Sequence, residues 1–153
     1  MEQRLTLADL QQKVGQHLGT SDWILVDQAR INAFADCTDD HQWIHVDEAR
    51  AAKESPYGQT IAHGFLTLSL LSPIHMHANH IPIEAKQVIN YGLDRVRFMN
   101  AVKSGQRIRG HVKLVEVKSR GRGMHFIKTE NTIEIEGEKK PALTADLIVL
   151  IIT

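Results

Sequence analysis

Eleven consecutive positions of this chain, Ile61 to Leu71, are almost all apolar or small: Ile61, Ala62, Gly64, Phe65, Leu66, Leu68, Leu70 and Leu71. A helix apolar all round has no face to give to water and belongs inside a fold. Pro73 removes a backbone donor and disfavours helical geometry at Ser72, so the helix is expected to end or kink there before Ile74 to Asn79. The second half supplies what can surround it. Val88 to Tyr91, Asp94 to Phe98, Gln106 to Val117, Met124 to Glu136 and Ala142 to Ile152 are rich in β-branched residues and often alternate. Turn signals separate the last four at Lys103-Ser104-Gly105, Arg120-Gly121-Arg122-Gly123 and Gly137-Glu138-Lys139-Lys140. The combination predicts an α+β fold in which a long antiparallel sheet wraps one apolar helix.

Ahead of that helix, Trp23 to Val26 is a short apolar run, and Asp27 is placed to cap a helix through Ala29, Ile31, Phe34 and Ala35 that ends near Cys37. Asp47 can cap a second short helix through Ala49 to Ala52, closed by Ser55-Pro56-Tyr57-Gly58. The first twenty residues read as a polar amphipathic helix added to the core. With no internal repeat or linker, residues 1–153 are expected to form a single domain. Eighteen basic residues balance eighteen acidic ones, which gives no compositional support to nucleic-acid or membrane-surface binding. Cys37 is the sole cysteine, so no internal disulfide can form. The N-terminus lacks a basic stretch followed by an apolar run, and Leu147 to Ile152 falls far short of the roughly 20 residues of a membrane helix. A cytoplasmic location is the expectation.

The chemistry gathers around Asp40-His41-Gln42-Trp43-Ile44-His45 and Ala62-His63-Gly64-Phe65. Residues five apart on a regular helix would lie about 140° around its axis, so Asp40 and His45 can converge only in a loop. An acceptor and a donor brought together there can hold one water. Trp43 and Ile44 would wall it with apolar surface and shift the pair's pKa values. Gly64 is placed at the mouth of the apolar helix, where a backbone N–H lacks an intrahelical partner and the dipole is positive. Those are the properties of an oxyanion hole. Ser72, about two turns on, could bond within the same cavity. His63 either satisfies a backbone group or joins Gly64 in binding substrate. His75, His77 and His80 share no helical face and have no nearby Cys or acid, so no metal site is expected.

Asp-x4-His, a Tyr-Gly turn, Ile-Ala-His-Gly-Phe-Leu-x3-Leu-Leu-Ser and Arg-Val-Arg-Phe-x4-Lys-Ser-Gly-Gln-Arg-Ile together resemble the MaoC-like (R)-specific enoyl-CoA hydratases, including their nodulation-protein-N-like branch. The resemblance spans roughly residues 24 to 150 and implies a hot-dog fold, a homodimer, Asp40 and His45 as the catalytic pair, Gly64 N–H as oxyanion donor and Ser72 as a supporting residue. The implied reaction is (R)-specific hydration of a trans-2-enoyl-CoA, or the reverse dehydration of a 3-hydroxyacyl thioester. The thioester, on coenzyme A or an acyl carrier, is substrate, and no cofactor is implied. The basic turn at Lys118, Arg120 and Arg122 is either a solvated hairpin or a contact for coenzyme A phosphates. The family's usual loop reads Asp-x-Asn-Pro-x-His, and here Gln42 and Trp43 stand in the Asn-Pro places. Gln42 can donate the same loop-bracing bond, while Trp43 is expected to reshape the acyl entrance. Two other functions fit such a fold. A hot-dog acyl-CoA thioesterase is one, although residues 63 to 72 contain no acid; a catalytically silent acyl-thioester-binding module is the other.

Overall fold

The computed structural model describes residues 5–77 and 81–153. Its strands are β1 (His17–Thr20), β2 (Ile24–Val26), β3 (Gln87–Phe98), β4 (Gln106–Ser119), β5 (Met124–Ile135) and β6 (Leu143–Ile152). They form one antiparallel sheet in the order β1-β4-β5-β6-β3, with β2 pairing β4 beside β1, so β3 is left at the far edge. The helices are α1 (Leu7–Gln12), α2 (Gln28–Thr38), α3 (Trp43–Val46), α4 (Glu48–Glu54), α5 (Gly64–Ser69) and α6 (Leu71–His77).

Alternation along β5 buries Ile127, Thr129, Asn131, Ile133 and Ile135 on one face. That face packs with Leu66, Leu70, Leu71 and Ile74 of the two central helices. Gly110 in β4 makes this approach possible, because a Cβ there would stand 2.6 Å from Ile74 Cγ2. Asp27 and Asp47 cap α2 and α4 as their positions implied, each accepting a backbone N–H three residues on.

Several expectations change. The apolar helix breaks at Leu70, three residues before Pro73. The proline sits in the first turn of α6, where its missing N–H would have had no helical partner. The expected extent to Asn79, and His80 with it, lies outside the described residues, as does the side chain of His77. The helix is also not wholly covered, since Phe65 is 70% exposed. Of the first twenty residues, those described, 5–20, form a short helix and a strand instead of one helix, and residues 1–4 lie outside the described residues. Thr6 and Asp9 cap α1 reciprocally, and Leu10 packs with Leu114, Ile127 and Ile151. Val88 to Tyr91 and Asp94 to Phe98 belong to a single strand, irregular between Asn90 and Gly92 and between Asp94 and Arg97.

Candidate active site

Asp40 follows the end of α2, where Asp39 turns the chain in a left-handed conformation (φ 59°). Its carboxylate is exposed and, among the described residues, receives only a long bond, 3.4 Å, from the Gln42 N–H. His45 lies on the single turn of α3 and is 6% exposed. Its Nδ1 is 2.7 Å from the carbonyl oxygen of Ile61. A carbonyl only accepts, so Nδ1 carries the proton and Nε2 keeps its lone pair. Burial pushes the His45 pKa below the ordinary histidine value, and neighbouring His63 lowers it further, against the opposing Ile61 bond.

His63, 3% exposed, stands directly before α5. Its ring does not cap that helix. Instead Nε2 donates to the main-chain carbonyl of Asp40 at 2.9 Å, and the ring stacks on His45 with centroids 3.8 Å apart and planes 25° from parallel. Nδ1 of His63 is buried with no hydrogen-bond partner among the described residues. Each such lapse has a cost, about 1 kcal/mol for a missing cap and about 1–3 kcal/mol for an unsatisfied buried polar atom.

One nitrogen from each ring and a carboxylate oxygen of Asp40 lie within 4.8 Å of one another. Two hydrogen bonds of normal length meeting at a water span ~4.6 Å, so the spacing suits a bridging water. It suits a metal ion less well. Lone pairs lie in the planes of their rings, and two stacked imidazoles direct them side by side, whereas tetrahedral coordination needs them to converge.

Gly64 opens α5, so its N–H precedes the helical ladder. Its Cα is overhung by the Phe98 ring, which a Cβ would meet at 3.1 Å. A cavity of about 290 Å³ is lined by His45, Gly64, Thr67, Tyr57 and Phe98, among others. Two expected members stand elsewhere. Ser72, on α6, lines a separate cleft of about 240 Å³ with Leu18, His75 and Val149. Trp43 does not line the His45 cavity; the guanidinium of Arg50 lies 4.3 Å from its ring centroid.

Gln42 is exposed, and its side chain makes no bond among the described residues, so the expected brace comes from elsewhere. Gln28 supplies it, donating to the His45 carbonyl at 2.7 Å while Thr60 donates to Gln28 Oε1 at 2.5 Å. A signal for Gln28 was present in the sequence. It shares the i, i+3, i+7 face of α2 with buried Ile31 and Ala35, and a polar residue on an inward face needs a partner. Phe98, by contrast, reaches Gly64 from thirty-four residues away in the chain, and nothing local marks it.

Residues 9–136 match the MaoC like domain. The chain is 54% identical to nodulation protein N of Rhizobium leguminosarum bv. viciae over 147 residues, covering 96% of this chain and 91% of that one. It is 46% identical to 3-hydroxyacyl-thioester dehydratase Z of Mycobacterium tuberculosis over 144 residues, 94% of each chain. Among solved structures it is similar to R-hydratase PhaJ1 from Pseudomonas aeruginosa, with TM-score 0.75, 21% identity, and 97% and 86% of the two chains covered. The (R)-hydratase from A. caviae gives TM-score 0.71, 24% identity, and 89% and 94% coverage. No described helix is long and apolar enough to cross a membrane.

Proposed function

This chain belongs to the MaoC-like domain family and has its hot-dog fold, and we propose that it is an (R)-specific enoyl-thioester hydratase, acting in reverse as a 3-hydroxyacyl-thioester dehydratase. The observation that carries the reading is the bond from His45 Nδ1–H to the Ile61 carbonyl, which leaves Nε2 basic on a ring that has one nitrogen within 4.8 Å of an Asp40 carboxylate oxygen and that lines the Gly64 cavity.

In an enoyl thioester the carbonyl is conjugated with the double bond. A hydrogen bond from Gly64 N–H to that oxygen would draw charge toward it and leave the β-carbon electrophilic. A water held between Asp40 and His45 gives a proton to the pair, its oxygen bonds to the β-carbon, and the pair returns a proton to the α-carbon. Burial keeps His45 neutral at neutral pH and therefore able to accept. The test is hydration of enoyl-CoAs by the purified protein, followed by chiral analysis of the product. Asp40→Asn and His45→Gln are each expected to lower turnover roughly a hundredfold. Release of free thiol in place of loss of enoyl absorbance would favour a thioesterase, and tight acyl-CoA binding without turnover a silent module.

A homodimer is part of the proposal. The free edge of β3 offers unpaired backbone groups, and Tyr91 (64% exposed), Leu93 and Phe98 stand open beside the uncovered Phe65. A second copy across this edge would cover both strand and helix by a two-fold contact.

A further inference from the structure

We infer that His63 is a positioning residue for the water-holding pair, fixing Asp40 through its main chain and His45 through its ring. The inference rests on the reading of Asp40 and His45 as that pair.

Asp40 needs such a tether. Its carboxylate is exposed and has, among the described residues, only the long bond from Gln42, so its place is set by where the main chain runs. Past the left-handed Asp39, the Asp40 carbonyl is held by His63 Nε2–H at 2.9 Å. The Asp40 Oδ2 lies 4.0 Å from the same nitrogen, too far to share its proton, so the hold is on the backbone and the carboxylate stays free for water. His45 is held on three sides: its carbonyl by Gln28, its Nδ1 by Ile61, and its face by His63. Phe34 of α2 also packs on His63, with centroids 4.9 Å apart.

The peculiarities of His63 fit this role and no local one. A residue in the capping position of a helix ordinarily bonds to that helix's own amides. His63 turns its ring across to a loop twenty-three residues earlier and leaves Nδ1 buried and without a partner among the described residues. Nδ1 has no acceptor within reach among the described residues, so the donor that holds the Asp40 carbonyl is Nε2–H. Because Gly64 is the next residue, one imidazole sets the relation between the Asp40 loop, His45 and the opening of α5. Positioning of this kind acts on turnover, since misplacing a reacting group by about 1 Å can cost about a hundredfold with little effect on binding.

Two substitutions separate the donor from the ring. His63→Phe keeps an aromatic face against His45 and loses the donor; His63→Gln keeps an N–H near the Nε2 position and loses the ring. With enoyl-CoA as probe, His63→Phe is expected to lower kcat at least about tenfold with KM within about twofold, and His63→Gln to recover kcat to within about threefold of wild type. Wild-type kcat in His63→Phe would overturn the inference, as would equal loss in both variants. A second readout is independent of activity. Deuterium uptake over residues 39–44 should rise in His63→Phe, stay near wild type in His63→Gln and leave residues 124–135 unchanged. Nitrogen NMR of the wild-type protein should show His63 as the Nε2–H tautomer. An Nδ1–H tautomer, or unchanged uptake in His63→Phe, overturns the inference. A wild-type protein inactive on every enoyl thioester would overturn the proposed function, leaving exchange and tautomer to decide the role of His63.

Discussion

The side-chain amide of Gln28, in the first turn of α2, donates to the main-chain carbonyl of His45 across 2.7 Å, and its own oxygen accepts from the buried hydroxyl of Thr60. Gln28→Leu strips both groups of their partner inside the protein. The expected outcome is a loss of about 1–3 kcal/mol of stability from the unsatisfied groups, read by thermal or denaturant unfolding, with a fall in kcat. Thr60→Val removes only one of the two bonds and should cost less on both counts. Equal effects from the two variants would mean that Gln28 does not act on His45.

This brace shows where the sequence was readable and where it was not. Elements with their own local code were legible: Asp27 and Asp47 as caps, the alternating strands, and the apolar run of α5. Asp40, His45, His63 and Gly64 could be singled out because residue types suited to chemistry recur there at close spacing. The brace on His45 fell to Gln28 and not Gln42 because only the fold decides which amide meets which carbonyl. Pro73 misplaced the helix break because the same residue that ends a helix is tolerated in the first turn of the next. Ser72 looked like a neighbour of Gly64, yet the helix breaks between them at Leu70, and Ser72, on α6, lines another cleft.

Burial depresses the pKa of both His45 and His75, the latter donating from Nε2 to Asn131 Oδ1 at 2.7 Å. An unfolded histidine binds its proton near pH 6.5, while these two hold off to lower pH. Between those values the unfolded state carries more protons, so stability rises with pH through that window and is lost as pH falls below about 6.5. Melting temperatures measured from about pH 5 to 8 should show this slope. His75→Gln retains a donor to Asn131 and removes the titration, and it should flatten the slope. The acid limb of kcat/KM, set by His45, should stay below pH 6.5 in both proteins. An acid limb above that value would contradict the burial of His45.

Gly110 is needed for space and not for backbone freedom, since it lies in β4 without a positive φ. In Gly110→Ala the new Cβ would meet Ile74 Cγ2 at 2.6 Å and Cδ1 at 2.9 Å, pushing α6 from the sheet. A loss of about 1–3 kcal/mol is expected from overpacking, with partial recovery in the double variant carrying Ile74→Ala. Additive losses in the double variant would show that Ile74 is not what the methyl group strikes.

The open edge of β3 makes the oligomeric state a test of the proposed dimer. Leu93→Lys and Phe65→Asp place charge on surface that a second copy would bury, and each should shift the protein toward monomer in light scattering. A wild-type protein that is monomeric at micromolar concentration would remove the dimer from the proposal.

Gly64 gives the sharpest test of the oxyanion assignment, because its φ is not positive and alanine there meets no backbone strain. What an added methyl group meets is the Phe98 ring at 3.1 Å, within the cavity that also holds His45. Gly64→Ala should therefore fold with near-native stability and lose turnover at least about tenfold, as ring and methyl group crowd the place where a thioester oxygen would approach the N–H. If crowding is the cause, Phe98→Ala made in the Gly64→Ala background should restore much of the loss, and a double-mutant cycle on kcat should show coupling between the two sites. Strict additivity would separate Phe98 from the effect. Undiminished turnover in Gly64→Ala would remove Gly64 from the site and require another donor for the thioester oxygen.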